Sequence, residues 1–294
     1  MPHRTHKPGV GGSNLFLTTK FMKNLNMFCI TLNPQDFKAI KTLNYIPVGL
    51  GDKNFSKDWL TDKQGNNISK KNPFYGEYTF HYWLWKNHLD KINNEWIGFC
   101  QYRKFWINNK ILDKNIDFSL FEKSIVKFIP DEYLNSESII GEKIFTNEFR
   151  FSKFVKNNFK TMFLSPSLFF NKNKRNIKFQ FNMMHGNGNL DKAIDLLSQD
   201  DKIDFRNFIN TEVSFNPHNM FICKSKKILI RYYETLFPWL EKCEKIFGFD
   251  DLSGYGLKRI YGFLAERFMS YWFQKNTKAE VMPILFNDIS KYKL

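Results

Sequence analysis

Residues 66–106, NNISKKNPFYGEYTFHYWLWKNHLDKINNEWIGFCQYRKFW, determine the fold class. Asn72 and Pro73 are typical of a helix start, with Asn as N-cap and Pro at the first helical position. The pattern predicts a helix that runs to about residue 88, followed by a short buried strand at residues 95–100. Polar groups of varied chemistry lie in the middle of this aromatic run, which indicates a site as well as a core.

Apolar stretches upstream extend the pattern. Residues 27–32 (MFCITL) predict a buried first strand, and residues 44–51 (NYIPVGLG) predict a second extended segment that ends in a loop. A polar surface loop is expected over residues 52–71. Strand, loop, helix and strand in this order predict an α/β layered fold.

The rest of the chain is less regular. We expect a loop entering a strand at residues 215–223 and helices at residues 189–198, 225–247 and 253–275, which makes the last third helical. Residues 107–180, with an apolar piece at 161–170, are expected to form an insertion or subdomain. Residues 1–24 are expected to be a flexible tail, which leaves one domain over residues 25–294.

Composition limits the class of protein. With 43% hydrophobic and 18% aromatic residues in 294, the chain is globular rather than disordered. It has no uncharged apolar run of about 18 residues, so no membrane-spanning helix is predicted. Four dispersed cysteines without a CxxC pair are expected to be buried free thiols in a reducing compartment. The net charge of +15 fits compositional drift or an anionic partner, namely nucleotide phosphates, nucleic acid or an acidic membrane surface.

Several motifs of well-known enzyme classes are absent from the sequence. It contains no GxGxxG, GxxxxGK[ST], HExxH or GxSxG pattern, which argues against Rossmann dehydrogenases, P-loop proteins, zincins and serine hydrolases. The six His are scattered without metal-ligand spacing, and no Asp or Glu is followed two residues later by Asp. No metal site is therefore predicted.

The first candidate constellation surrounds the predicted helix and the strand after it. Glu77 and His81 are four residues apart and share a helix face. Tyr102, Arg103 and Lys104 follow the strand, and the two cations are suited to a diphosphate because Arg and Lys contact phosphate oxygens. The alternative readings are a surface carboxylate for Glu77 and a solvated strand end for the two cations.

Two further constellations lie downstream. His185 is near Asp191 in sequence, and His218 and Asn219 enter an apolar strand, where side chains are presented to a crevice. Structural hydrogen-bonded histidines are the alternative. Glu266 and Arg267 form either a ligand-binding pair or a buried helical ion pair.

These segments together resemble the bacterial DUF4422 family, which is linked to capsular and O-antigen polysaccharide synthesis. The resemblance is carried by YIP-x-G at residues 45–49, D-x-x-G-x-N-I-S-x-x-N at 62–72, Y-x-E-x-T-x-x-Y-W-x-W-K-N at 75–87, I-G-x-C-x-Y-R at 97–103, NMFI at 219–222 and the G-x-x-x-E-R segment ending at residue 267. It covers about residues 27 to 275. Asn66 replaces the family's Asp and Gln101 replaces its His, so a role that needs a titrating group at these positions is not expected.

The resemblance implies a glycosyltransferase with a GT-A-like α/β nucleotide-sugar-binding fold; some members transfer galactofuranose from a UDP-sugar. The expected acceptor is a growing surface polysaccharide or a glycolipid, and residues 107–180 would serve as an acceptor subdomain. The protein would be cytoplasmic, at the inner face of the membrane, in contact with anionic lipid. A non-catalytic protein that binds nucleic acid or an anionic surface is the alternative function.

The expected site residues fall into three groups. The catalytic candidates are Glu77 as first choice of base or sugar anchor, with Asp191 and Glu266 as rivals. The donor-binding candidates are Tyr45, Pro47, Gly49, Asn67, Ser69, Tyr102, Arg103, Lys104, His218, Asn219 and Arg267. The acceptor-binding candidates are His81, Trp83 and His185. Charge neutralisation at the diphosphate is assigned to Arg103, Lys104 and His218, and a divalent metal, Mn²⁺ or Mg²⁺, is left open.

Overall fold

The computed structural model describes residues 25–108, 116–148, 171 and 174–292, which form a mixed α/β fold. Within these residues the main sheet has nine strands, and seven of them follow the order β10-β6-β9-β4-β1-β2-β3. Its strands are β1 (Leu25–Thr31), β2 (Ile46–Gly49), β3 (Leu60–Thr61), β4 (Trp96–Gln101), β5 (Lys104–Trp106), β6 (Ser138–Gly141), β9 (Phe221–Cys223), β10 (Ala279–Met282) and β11 (Ile284–Phe286). A separate two-stranded antiparallel sheet pairs β7 (Ile144–Phe145) with β8 (Ser214–Phe215).

The centre of the sheet is parallel. β1 pairs in parallel with β2 and β4, and β2 with β3, so the carboxyl ends of these strands reach the same edge. β9 runs antiparallel to both β4 and β6. β5 turns back from β4 and pairs with β11 beside that edge.

Helices cover the sheet on both faces. They are α1 (Phe37–Thr42), α2 (Asn72–Tyr75), α3 (Tyr78–Asn87), α4 (Phe118–Ser124), α5 (Ile177–His185), α6 (Asn189–Ile194), α7 (Gln199–Thr211), α8 (Lys226–Phe247), α9 (Gly254–Lys258) and α10 (Ile260–Asn276).

Alternate side chains of the central strands enter two separate cores, because successive residues of a strand point to opposite faces. Phe28 and Ile30 join the larger core with the long helices α8 and α10, whereas Met27 and Cys29 join the smaller one. Burial on both faces explains why residues 27–30 are all apolar, whereas Leu32 lies after the strand and is 50% exposed. All four cysteines are buried and free.

The helix predicted over residues 72–88 is in fact two helices. Gly76 lies between α2 and α3 with φ 60° and ψ −134°, a backbone conformation that L side chains rarely adopt. Asn72 Nδ2 donates to the Gly76 carbonyl at 3.0 Å and to Thr79 Oγ1 at 3.2 Å, which fixes the break. The break places Glu77 at the start of α3 instead of in the middle of a continuous helix.

The end of the chain also differs from the prediction, because two strands follow the last helix. β10 pairs in parallel with β6, and β11 pairs antiparallel with β5. Both are short, and their residues are only partly buried, so an alternating apolar pattern is weak. Their strand conformation depends on pairing with β6 and β5, which are distant in the sequence, and not on a local pattern.

The region expected to be an insertion is partly integral to the sheet, since β6 pairs with both β9 and β10. The apolar piece at 161–170 lies outside the described residues. Among the residues described, none of the helices is both long enough and apolar enough to cross a membrane.

Candidate functional site

A cavity of about 480 Å³ opens at the carboxyl ends of β1, β2 and β4. In parallel α/β sheets ligands bind in the crevice outside this edge. The lining combines strand ends, the α2–α3 break and the α9–α10 junction: Ile30, Thr31, Leu32, Leu50, Asn72, Pro73, Gly76, Glu77, Gln101, Tyr102, Arg103, Lys104, Tyr255 and Arg259.

Glu77 is the central carboxylate of this cavity. Its Oε1 accepts hydrogen bonds from Gln101 Nε2 at 3.0 Å and from Asn219 Nδ2 at 2.9 Å. Its Oε2 lies 3.5 Å from a guanidinium nitrogen of Arg259. Two amide donors on one oxygen hold the carboxylate in one orientation and leave Oε2 toward Arg259.

Gln101 joins three parts of the site. Its Nε2 donates to Glu77 and, at 2.9 Å, to the backbone carbonyl of His218, and its Oε1 accepts from Lys104 Nζ at 3.1 Å. A Gln has both a donor and an acceptor at the same end, so it can satisfy the carboxylate and the ammonium together. Gln101, which stands where the family pattern has His, therefore acts as a fixed hydrogen-bonding group.

His218 and Asn219 both have left-handed backbone conformations, with φ of 81° and 53°. Such residues store strain and cluster at functional sites. The His218 amide donates to Glu266 Oε1 at 2.7 Å, which anchors the turn to α10. Burial, with a contribution from Lys104, lowers the pKa of His218 to about 3. The imidazole is therefore neutral at neutral pH, and the expectation that it supplies positive charge is not supported.

Three cations surround the larger cavity. Arg103 is largely exposed, pairs with Asp288 at 3.2 Å and lies over the Tyr102 ring. Lys104 is mostly buried; burial lowers its pKa, while Glu77 and Glu266 act in the opposite direction. Arg259, at the α9–α10 junction, was not predicted, because an isolated Arg in GYGLKRI carries no motif.

A second hollow of about 250 Å³ adjoins the first and shares five of its lining residues. The shared residues are Glu77, Gln101, Lys104, Tyr255 and Arg259, and those of the second hollow alone are His218, Asn219, Gly262, Phe263 and Glu266. The second hollow thus brings together five candidate residues from separate stretches of the sequence: Glu77, Lys104, His218, Asn219 and Glu266.

The predicted acceptor residues lie elsewhere. His81 is buried in the larger core, where its Nδ1 contacts Tyr233 Oη at 2.8 Å and burial lowers its pKa to about 3. His185 is buried against Phe263, and its pKa is likewise about 3, mainly because of burial. Trp83 Nε1 donates to the Gln64 carbonyl at 2.8 Å. These three side chains line neither hollow.

Two of the charged candidates also lie outside both hollows. Arg267 is buried, donates to Gln180 Oε1 at 2.8 Å and lies over the Phe215 ring, so it has the structural role of a buried ion pair with Glu266. Asp191 pairs with Lys178 at the surface at 2.9 Å.

The candidate residues of the upstream family motifs make contacts that support the fold. Tyr45 Oη donates to the Val126 carbonyl at 2.6 Å within the smaller core. Asn67 Oδ1 accepts from the amide and hydroxyl of Ser69, which shapes the loop before α2. Pro47 and Gly49 belong to β2, where a side chain on Gly49 would overlap the Phe55 ring.

The aromatic runs are mostly core. Phe80, Phe268 and Trp272 are buried, as are most of their aromatic neighbours in FHYWLW and FMSYWF. Rings that stack on nucleic-acid bases need exposed faces beside cations. Within the described ranges, no group of three or more His, Cys, Asp or Glu is arranged to hold a metal ion.

The fold is similar to that of one solved glycosyltransferase structure, and a second one matches only weakly. The apo structure of the bifunctional glycosyltransferase WbbM matches with a TM-score of 0.67 and 19% identity, over 90% of this chain and 45% of that one. The mannosyltransferase Ktr4p from S. cerevisiae matches with a TM-score of 0.27 and 9% identity, over 90% of this chain and 68% of that one, which is too weak to bear on the fold. The chain thus spans less than half the length of WbbM, and the likeness confirms the predicted GT-A-like fold.

No curated protein matches the chain. The family described as "Domain of unknown function (DUF4422)" matches residues 27–277, which is most of the sequence, so the chain belongs to the DUF4422 family.

Proposed function

We propose that the protein is a glycosyltransferase that binds a nucleotide-sugar donor in the larger cavity. The observation that carries the proposal is the position of Glu77, a carboxylate fixed by two amides at the wall shared by two adjoining hollows. A transferase needs a donor site and an acceptor site that meet at one reactive group. The fold shared with WbbM supports the same class of function.

The larger cavity suits the nucleotide diphosphate. Its volume of about 480 Å³ lies within the range of roughly 300–1,000 Å³ that is typical of small-molecule sites. Arg103, Lys104 and Arg259 all line it, and cations preorganised around a leaving group stabilise the charge that develops on it. Arg103 is free to turn to a phosphate because its exposed pair with Asp288 is worth about 0–1 kcal/mol.

Glu77 is assigned the role of base. The acceptor hydroxyl oxygen forms a bond to the anomeric carbon of the donor while the bond from that carbon to the phosphate oxygen breaks. The electron pair leaves with the nucleoside diphosphate, and the hydroxyl proton passes to the Glu77 carboxylate. A positioned base typically contributes about 10²–10⁴-fold to rate.

The finer assignments rest on the family resemblance. We propose UDP as the nucleotide, galactofuranose as a candidate sugar, and a surface polysaccharide or lipid-linked saccharide as the acceptor. The net charge of +15 supports contact with an anionic membrane surface. Nucleic-acid binding has less support, because the aromatic runs that suggested it are largely buried.

Thermal stabilisation by nucleotides tests donor binding. UDP, UMP and a panel of UDP-, GDP- and dTDP-sugars are added to the full chain with Mn²⁺ or with EDTA. A ligand at 100 times its Kd adds about 2.7 kcal/mol to the free energy of unfolding. We expect a nucleoside diphosphate or its sugar to raise the melting temperature more than UMP does, and the EDTA arm measures metal dependence.

The matched variants are Arg259→Gln, in the cavity, and Arg231→Gln, which changes an exposed Arg of α8 that lies over the Trp272 ring and lines neither hollow. Arg259→Gln is expected to weaken nucleotide binding about tenfold or more, because a hydrogen bond to a charged group is worth about 1.5–3 kcal/mol. Arg231→Gln is expected to bind as the unmodified chain does. Stabilisation by oligonucleotides alone would contradict the proposal.

A further inference from the structure

The smaller hollow has the position of a second substrate site. It shares Glu77, Gln101 and Lys104 with the larger cavity, so a molecule bound in either hollow reaches the same carboxylate. Its volume of about 250 Å³ is below the range of about 300–1,000 Å³ usual for drug-sized ligands, which limits it to a small group such as one sugar ring.

Two exposed aromatic rings stand beside this hollow. Tyr255 is 71% exposed and Phe286 is 64% exposed, which makes them the most exposed large apolar side chains in the part of the chain that the structure describes. Tyr255 lines the hollow and meets Phe263 edge-on at 5.8 Å. Phe286 meets the His218 ring edge-on at 5.2 Å. Both rings are therefore open to a ligand that binds in the hollow.

The polar groups of the hollow match the hydroxyls of a saccharide. Glu77 and Glu266 present carboxylate oxygens, which accept hydrogen bonds from hydroxyl groups. Asn219 is buried, and its Oδ1 has no hydrogen-bond partner among the described residues. A buried acceptor without a partner calls for an explanation, and a ligand hydroxyl donating to it would supply one.

We propose that the smaller hollow is the acceptor subsite, in which Tyr255 and Phe286 flank one sugar ring and Glu77, Asn219 and Glu266 bind its hydroxyls. This inference rests on the proposed function, which it extends by assigning the residues that bind the terminal sugar ring of the acceptor. It replaces His81, Trp83 and His185 as the acceptor-binding residues. Flat aromatic faces provide the apolar contact, and the carboxylates provide orientation.

Saturation-transfer NMR on the full chain tests the subsite directly. The probes are methyl glycosides of galactose, glucose, mannose and N-acetylglucosamine, each measured with saturating UDP. The variants are Tyr255→Ala and Phe286→Ala. Phe145→Ala is the control because Phe145 is an exposed ring on β7 that lines neither hollow. The melting temperature of each variant is measured with and without UDP, which shows whether the variant is folded and binds the donor nucleotide.

We expect a signal from at least one glycoside with the unmodified chain and with Phe145→Ala. We expect a loss of affinity of about tenfold or more in Tyr255→Ala and Phe286→Ala, the size usual for truncating an aromatic anchor. The UDP-induced stabilisation is expected to persist in Phe286→Ala and Phe145→Ala, which change residues outside the lining of the larger cavity. Tyr255 lines both hollows, so glycoside binding by Tyr255→Ala is compared with the UDP-induced stabilisation measured for the same variant. Absence of any glycoside signal, or equal signals in all variants, would overturn the subsite. Absence of UDP-induced stabilisation in the unmodified chain would instead count against the proposed function.

Discussion

Gly76 and Arg259 are packed so closely that a Cβ on Gly76 would overlap the guanidinium group of Arg259. The same Arg faces Glu77 Oε2 at 3.5 Å. The absence of a side chain at Gly76 therefore does two things at once. It permits the backbone break that starts α3 at Glu77, and it leaves space for the cation beside that carboxylate.

Replacing Gly76 by Ala is expected to destabilise the fold and to weaken donor binding. The backbone conformation alone costs about 1–3 kcal/mol for a residue with a side chain, and the displaced Arg259 no longer faces the cavity. Gly248→Ala is the matched control, because Gly248 has φ 59° and ψ −155° but no atom close to its added Cβ. Chemical denaturation and nucleotide affinity are measured for both. Equal nucleotide affinities would show that Gly76 matters for the backbone only.

Glu77→Gln is expected to lower the transfer rate by at least about 100-fold while the fold is retained, because a Gln cannot take the acceptor proton. The Gln oxygen still accepts from the Gln101 and Asn219 amides, so the melting temperature is expected to change little. Asp191→Asn, at the surface ion pair with Lys178, is the control and should keep full activity. Near-normal turnover in Glu77→Gln would remove Glu77 from the mechanism.

Gln101→Leu is expected to reduce both stability and activity. The change removes the amide that donates to the His218 carbonyl and to Glu77 Oε1. Leaving a buried acceptor without its donor lowers the free energy of unfolding by about 1–3 kcal/mol. Gln274→Leu removes a comparable amide that bonds Asn216 and Ser270 away from both hollows. Both variants should melt earlier than the unmodified chain, but only Gln101→Leu should lower kcat. Equal kcat losses would mean that Gln101 acts through stability alone.

The free energy of unfolding is expected to fall with acid between pH 6.5 and about 3. Burial lowers the pKa of His81, His185 and His218 from 6.5 to about 3, so the unfolded chain binds protons in this interval that the folded chain does not. The stabilisation from the neutral forms is complete above pH 6.5 and is lost as the pH falls. Each such His steepens the dependence by up to about 1.4 kcal/mol per pH unit.

His185→Gln checks this assignment. Denaturant unfolding at pH 4.5, 5.5 and 7.5 gives the slope of stability against pH for the variant and for the unmodified chain. We expect the variant's slope in the acid interval to be smaller by up to about 1.4 kcal/mol per pH unit, the contribution of one titrating His. An unchanged slope would mean that His185 titrates near its ordinary pKa in the folded protein.

The central strands and the general site could be predicted from sequence because local pattern determined them. Residues 27–30 and 96–100 are continuous apolar runs that only a central strand buries on both faces, and the polar residues Thr31 and Gln101 after them mark the edge where the cavity lies. Lys104, Glu77 and His218 were singled out from their unusual chemistry in apolar surroundings, and all line at least one hollow.

The remainder depends on long-range packing. Nothing local shows that His81 faces Tyr233, 152 positions later, instead of sharing a site with Glu77. Arg259 is significant only because Gly76 and Glu77 approach it from a distant part of the chain. Strands β10 and β11 depend on pairing with β6 and β5, which lie far upstream.

That late pairing has a consequence for synthesis. The chain enters the sheet for the last time at Ala279–Met282 and, after Pro283, ends its pairing at Ile284–Phe286. Phe286 contacts His218 only when this segment is in place. A nascent chain on the ribosome therefore leaves β6 and β5 without these partners until residue 286 has emerged, and the contact between Phe286 and His218 forms only after that point.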